Sequence, residues 1–414
     1  MRSVVIVAIV CGLGLSCGAQ PLETAAPRVF LLDPAHLVEV RARVAEGDPA
    51  LQPAMDELLA DAEAALEEGP FTVTDKPMTP PSGDKQDYMS VGPFWWPNPD
   101  TEDGLPYVRR DGVVNPERHK YDNVGQGAMV RAVRSLGLAH FMTGDERYAE
   151  HAAQLLRVWY LDEDTRMNPH LKYGQAIPGR VEGRGIGIID TMSLPRLLDS
   201  VGMLHDSEAW TPEDQQGLEQ WFSDYLDWIL THPYGIDERR TRNNHGTWYD
   251  VQAASYALFT NRLDVAREVL EEVPERRIAR HFEPDGRQPH ELARTRSYGY
   301  STMNLAGFFN LATQGEHIGM DLWDFETEDG RGIRKGLDWI IEHAFGDGEW
   351  EYENLSPITP GRLPQLLRRA AIAYNEPAYE EMLHEIAEAD WEADRANLVY
   401  PAPAFAAQDN PTSP

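Results

Sequence analysis

Helical periodicity that comes in pairs is the feature that most limits what this chain can fold into. "GQGAMVRAVRSLGLAHFMTG" and "DERYAEHAAQLLRVWYL" repeat apolar residues every three or four positions and meet at Thr143-Gly144-Asp145. "IIDTMSLPRLLDSVGML" and "TPEDQQGLEQWFSDYLDWILTH" form a second pair, the latter opening on Thr211-Pro212-Glu213, a good helix start. "GTWYDVQAASYALFT" with "NRLDVAREVLEEVPERRIARHF", and "YGYSTMNLAGFFNLATQG" with "GRGIRKGLDWIIEHAFG", continue the series. "PGRLPQLLRRAAIAYN" with "PAYEEMLHEIAEA" ends it, and "AHLVEVRARVAEG" and "LQPAMDELLADAEAALEEG" precede it. Alternating apolar and polar runs are nearly absent, which argues against a sheet-based fold. Hairpin after hairpin with no strict repeat predicts an all-α fold, an incomplete α/α toroid (barrel) around a central cleft. The unequal hairpins fit a solenoid poorly.

The ends read differently. "MRSVVIVAIVCGLGLSCGAQ" has a basic start at Arg2, an apolar stretch from Val4 to Leu15 too short to span a bilayer, and small residues after it. It reads as a secretory signal, processed either with a lipid anchor at Cys17 or by cleavage after Ala19. The expected organisation is a signal peptide over 1–20, one toroid domain over 21–400 with no membrane span, and a tail over 401–414. The expected location is periplasmic or on the outer membrane as a lipoprotein, alternatively secreted. Cys11 and Cys17 are the only cysteines and both lie in the leader, so a thiol nucleophile or a disulfide in the mature chain is excluded. Residues 70–120 break the helical pattern. They are dense in Pro and Gly yet hold Tyr88, Phe94, Trp95, Trp96 and Tyr107, which suits a packed or ligand-facing loop better than a linker.

The net charge of −31 excludes nucleic acid as a partner. The polar stretches between helices are nonetheless locally basic: "RRTRNNH", "HLKYGQAIPGRVEGR", "RRIARHF" and "RQPHELARTR". If they meet in one cleft, a cationic groove on an acidic body can attract an anion. Asn243, Asn244 and His245 stand where such a stretch enters an apolar helix, either as a cap or as an anion-holding device. "ELARTRSYGYSTMN" places Arg294, Arg296, Tyr298 and Tyr300 within seven residues. Arginine, asparagine, histidine and tyrosine together suit β-elimination on a uronic acid polymer. Neutralising the sugar carboxylate stabilises the enolate-like transition state, and a tyrosine flanked by cations can take the C5 proton and protonate O4. That chemistry needs no metal or cofactor. Two other classes fit less well: a glycoside hydrolase, which needs a pair of cleft carboxylates from among Glu291, Asp250 and Asp190, and a non-catalytic polysaccharide-binding lipoprotein.

Five motifs in order, "YMSVGPFWWPNPDTEDGLPYVRRDGVVNPE", "MNPHLKYGQAIPG", "GRGIGIID", "NNHGTWYDVQ" and "ELARTRSYGYSTMNL", resemble the alginate lyase superfamily of polysaccharide lyases over about residues 85–375. The likeness is to family 38 and more distantly to family 5. It implies an incomplete α/α toroid and a lyase acting on poly-mannuronate (alginate) or glucuronan, with an anionic polysaccharide as partner. It places the family's Asn-His pair on Asn244 and His245 and its arginine on Arg294. The catalytic tyrosine falls on Tyr300, with Tyr298 as rival, because the region is one residue shorter than in family 5. It implies sugar contacts for Tyr173 and Gln175, and for Arg184, Trp95 and Trp96. Arg296, Tyr298 and Asn243 are further candidates for substrate contact, against packing or capping roles. On mannuronate or glucuronate one tyrosine can serve as base and then acid; on guluronate His245 would be the candidate base.

Overall fold

A computed structural model describes residues 26–346, 349–386 and 391–405. The expected leader and Cys17 lie outside the described residues, as does the tail from 406 on. The described chain is helical almost throughout. Two entry helices, α1 (Pro34–Ala45) and α2 (Gln52–Ala65), precede the hairpin α3 (Asp122–Thr143) and α4 (Glu146–Tyr160). Then come α5 (Leu194–Gly202), α6 (Pro212–Thr231), α7 (Pro233–Arg239), α8 (Asn244–Phe259) and α9 (Leu263–Glu271). Two short helices, α10 (Ala279–His281) and α11 (Pro289–Leu292), lead to α12 (Ser297–Glu316), α13 (Ile333–Phe345), α14 (Pro364–Ala373) and α15 (Pro377–His384).

Local chemistry sets the boundaries. Gly144 stops α3 in the left-handed conformation at φ +73°, and the Asp145 carboxylate caps α4 by accepting from Arg147 N at 3.0 Å. Thr211 and Asp214 close a capping box at the start of α6. The helix α7 was not expected; it is two turns opened by Pro233, too short to show a periodicity.

The packing makes a ring. The inner helices α3, α5, α8, α12 and α14 pack each on the next, and α4, α6, α9, α13 and α15 pack outside them. The 3₁₀ turn Arg395–Leu398 packs on α1 and α2 and fills the gap between the ends of the ring. The expected incomplete toroid is what forms. The centre of the core is α8, buried along its whole length except at His245. A helix buried on every side needs partners for its polar groups, and most have them: Gln314 Nε2 donates to Ser255 Oγ at 2.6 Å, and Thr191 Oγ1 to Gln252 Oε1 at 2.6 Å.

Four short strands escape the helical pattern. The pair β1 (Met89–Val91) and β4 (Tyr173–Ala176) run parallel, and β2 (Trp95–Trp96) and β3 (Val108–Arg109) run antiparallel. They fasten the aromatic stretch to the body, so it is a packed loop and not a linker.

Candidate active site

The mouth of α8 is not capped by its own asparagine. Asn243 holds the capping position and makes no side-chain capping hydrogen bond. The carboxylate of Glu291, on α11, takes that place: Asn244 N donates to its Oε1 at 2.5 Å and Asn244 Nδ2 to its Oε2 at 2.6 Å. A carboxylate at a helix N-terminus is favoured by the helix dipole. Burial raises the Glu291 pKa to about 7, against the pull of the two Asn244 bonds. Asn244 is 1% exposed and its Oδ1 has no partner among the described residues. The turn before α8 is clamped from below. Arg277, itself buried, donates to the carbonyls of Thr241 (2.7 Å) and Arg239 (2.8 Å) and pairs with buried Asp250 at 2.7 Å. Gly246 makes room for that guanidinium, since a Cβ there would lie 2.2 Å from Arg277 Nη1.

His245 is the residue of α8 that faces outward. Its Nδ1 lies 2.7 Å from Glu238 Oε1 at the end of α7, leaving Nε2 for the cleft. Burial works against charging the ring, but the Glu238 carboxylate outweighs it and raises the His245 pKa. The carboxylate thus shifts His245 toward its protonated form, in which Nε2–H is a donor.

Arg294 and Tyr300 form the opposite wall. The Arg294 guanidinium carbon stands 4.3 Å from the centre of the Tyr300 ring, and Nη2 donates to Tyr300 Oη at 3.2 Å. Asp111, from the aromatic loop, grips the same guanidinium at 2.9 and 3.3 Å and also receives Arg109 at 2.7 Å. Burial raises the Tyr300 pKa, Arg294 lowers it and Asp111 raises it again, with a net rise. His245, Glu291, Arg294 and Tyr300 lie close enough to act on one another's charge.

Tyr298 is placed differently. It is 1% exposed, packs edge-on against Trp350, and donates its phenol proton to the Thr359 carbonyl at 2.7 Å. It packs in the wall of the cleft with its hydroxyl committed to the Thr359 carbonyl, which leaves its ring and not its oxygen to border a ligand. Because α12 starts at Ser297, Tyr298 and Tyr300 point roughly 200° apart, and although both border the cleft, only the Tyr300 hydroxyl is met by Arg294. Arg296 is half-buried, precedes α12, and bridges through its backbone to Asn354. It lines the same cleft as Tyr300, together with Phe94, Val114 and Arg362.

The loop residues make a second patch. Between β1 and β4 the register slips by one residue, and Gln175 absorbs the bulge at φ +47°. Its N–H goes to Ser90 Oγ (2.7 Å), its Nε2 to Asp190 (2.9 Å), and its Oε1 accepts from Arg184 (3.2 Å). Gln175 is thus 6% exposed and orients Arg184 more than it meets solvent. Burial brings the Arg184 pKa down to about 10. Trp95 lies with the guanidiniums of Arg180 and Arg184 at 5.5 and 5.9 Å from its ring. Trp96 donates to the Val113 carbonyl at 2.8 Å with Arg110 over its ring, a packing role. Tyr173 is half-exposed at the start of β4. The patch adjoins the first site, because Gly185 packs directly on the α7 backbone beside Glu238.

The carboxylates a hydrolase would use are committed elsewhere. Asp250 is tied to Arg276 and Arg277, Asp190 to Tyr88, Ser90 and Gln175, and Glu291 to Asn244. Among the described residues no three His, Asp, Glu or Cys side chains converge as metal ligands. Sequence reasoning missed the partners Glu238 and Asp111. Glu238 stands seven positions before His245, but the break between α7 and α8 hides the relation. Asp111 lies 183 residues from Arg294, and only its place in "YVRRDG" marks it.

The comparisons agree with this geometry. A sequence model described as alginate lyase matches residues 72–350. The crystal structure of an alginate lyase from Bacteroides ovatus superposes with a TM-score of 0.87 at 39% identity, covering 90% of this chain and 99% of that one. Alginate lyase A1-III from Sphingomonas species A1 superposes with a TM-score of 0.57 at 16% identity over 93% of this chain and 100% of its own. A variant of A1-III complexed with tetrasaccharide gives 0.60 at 15% identity, over 94% and 100%. No curated protein matches. The fold and the cleft define a polysaccharide lyase. The chain belongs to the alginate lyase family.

Proposed function

We propose that the enzyme cleaves alginate at its mannuronate residues by β-elimination, with Tyr300 as base and then acid. The observation that carries this is Tyr300 Oη held by Arg294 Nη2 at 3.2 Å, with His245 near enough to Arg294 to feel its charge and Asn244 beside it on α8. In the reaction the C5–H bond breaks and its proton goes to Tyr300 Oη. The electron pair forms the C4–C5 double bond, the C4–O4 bond breaks, and O4 takes the proton back from Tyr300. Negative charge builds on the sugar carboxyl, where His245 Nε2–H, the second Asn244 Nδ2–H and Arg294 would meet it.

Mannuronate is the substrate for which a single tyrosine suffices, and the rise Glu238 causes in the His245 pKa suits His245 as a donor to the carboxyl. Structures of A1-III variants with tetrasaccharide support a saccharide in the cleft of this fold. Trp95, Tyr173 and Arg184 would border the sugar chain on the α7 side. Export, with or without a lipid at Cys17, belongs to the same proposal and rests on the sequence of 1–20.

The test is product analysis by mass spectrometry on poly-mannuronate, poly-guluronate and glucuronan. Elimination leaves fragments with an unsaturated end, lighter by one water than hydrolysis would give. Fragments carrying that end from poly-mannuronate support the reading; saturated fragments would favour a hydrolase, and an intact polymer a binding protein.

A further inference from the structure

The interior of the ring holds a feature that the elimination chemistry does not use. A small cavity of about 90 Å³, room for a few waters or one small oxyanion, lies among α3, α5, α14 and the closing 3₁₀ turn. Its wall carries four arginines from four different elements: Arg134 of α3, Arg196 of α5, Arg369 of α14 and Arg395 of the closing 3₁₀ turn. Arg395 is compensated by Asp61. Arg369 is 7% exposed and bonds only neutral oxygens, Asn310 Oδ1 at 2.9 Å and Thr313 Oγ1 at 3.0 Å. The side chains of Arg134 and Arg196 make no hydrogen bond and no ion pair among the described residues. The one carboxylate in the wall, Asp199, accepts from the backbone N–H groups of Phe30 (2.7 Å) and Leu31 (3.2 Å) and is close enough to Arg134 and Arg196 to feel their charge, without pairing with either.

Three guanidiniums therefore share this space with a single lining carboxylate, Asp199, and no ion pair among the described residues, so an excess of positive charge remains. Gathering like charges away from water is costly unless an anion joins them. The crowding is visible at Arg134, whose pKa burial and then Arg196 and Arg395 bring down to about 10. A neighbouring cavity shares Arg196, Arg369 and Gln365 with this well, and shares Gly299 and Met303 with the cleft at Tyr300. The well is thus the inner end of a lined path that begins at the candidate active site.

We infer that the well is a second anion-binding site, which takes a small ligand bearing a carboxylate or phosphate through Arg134, Arg196 and Arg369. A uronate released in the cleft and a free oxyanion share that chemistry. The site stands on its own geometry and does not require the chain to be a lyase.

The test is isothermal titration calorimetry of the purified protein with inorganic phosphate, in chloride buffer at fixed ionic strength. The Arg134→Gln/Arg196→Gln protein should bind phosphate about tenfold or more weakly, as expected when charged hydrogen-bond donors are lost. Arg196→Lys, which keeps the charge, should retain most of the binding. The double variant should also melt no lower than the wild type in low-salt chloride, because like charges have been removed, and should lose any rise in Tm produced by phosphate. Single Arg196→Gln gives the same reading with a smaller perturbation. An unsaturated mannuronate disaccharide that displaces phosphate from the well would identify a uronate as the ligand; phosphate binding without displacement would identify a free oxyanion. Phosphate that fails to bind the wild type, or binds the double variant equally well, would overturn the inference.

Discussion

Arg294 lies over the ring of Tyr300, 4.3 Å from its centre, and also donates to its hydroxyl at 3.2 Å. One cation therefore meets the phenol both through its π face and through its oxygen. That contact favours the phenolate, while burial and Asp111 oppose it. Asp111 grips the far edge of the same guanidinium, so the charge state of Tyr300 is set by a balance between the two groups.

Asp111→Asn should shift that balance. If the reacting form has His245 charged and Tyr300 ionised, kcat/KM rises with pH until His245 starts to lose its proton. It then stays level, and falls once Tyr300 is fully ionised. Removing the Asp111 charge lowers the Tyr300 pKa, so the fall should move to lower pH. A pH profile with the fall unmoved would detach Asp111 from the chemistry.

Glu238→Gln acts on the other limb. Glu238 raises the His245 pKa, so its removal lowers it. The rise of kcat/KM should then break at lower pH, and the level region should sit lower. A variant with a wild-type profile would mean that the charge on His245 does not matter.

The carboxylate that caps α8 predicts a stability effect. Burial lifts the Glu291 pKa from 4.5 to about 7 in the folded protein. The folded state therefore holds this proton more tightly than the unfolded state. Its contribution is full below about pH 4.5 and is lost as pH rises through 7. Glu291→Gln should flatten the dependence of Tm on pH across that window, whatever its effect on Tm itself. An unchanged slope would contradict the assignment.

The clamp beneath the site should be expensive to break. Asp250→Ala leaves Arg277 buried without its partner, which costs about 3–5 kcal/mol by the usual measure of such pairs. Denaturant melts should show the loss. Activity should fall in the folded fraction as well, because Arg277 holds the Arg239 and Thr241 carbonyls just before α8. A stable, fully active variant would show that the clamp is dispensable.

How much of this was legible in the sequence follows from the range of each interaction. The long helices were readable because each carries its own periodicity, and so was the ring they form. Asn244, His245, Arg294 and Tyr300 stood out because each lies at the mouth of a helix in a basic stretch. Their partners did not stand out. Glu291 stood out only as one of three carboxylates near the motifs, yet it caps a helix that starts 47 residues earlier. The choice between Tyr298 and Tyr300 depended on where α12 begins, because a start at Ser297 points the two side chains roughly 200° apart and leaves only one hydroxyl beside Arg294. The bulge at Gln175 came from a parallel pairing with a strand more than eighty residues away, which no local pattern announces. The arginines of the well were hidden for a similar reason: they come from four separate elements, and only the packing of the ring brings them together.

The central claim is that Tyr300 moves the proton. Its most direct test follows formation of unsaturated uronate on poly-mannuronate by ultraviolet absorbance, for the wild type and for Tyr300→Phe. Loss of a positioned acid–base group predicts a fall in kcat of about 10²–10⁴-fold. KM should change little, because the ring and its contact with Arg294 remain. A Tyr300→Phe enzyme that turns over at the wild-type rate would contradict the account.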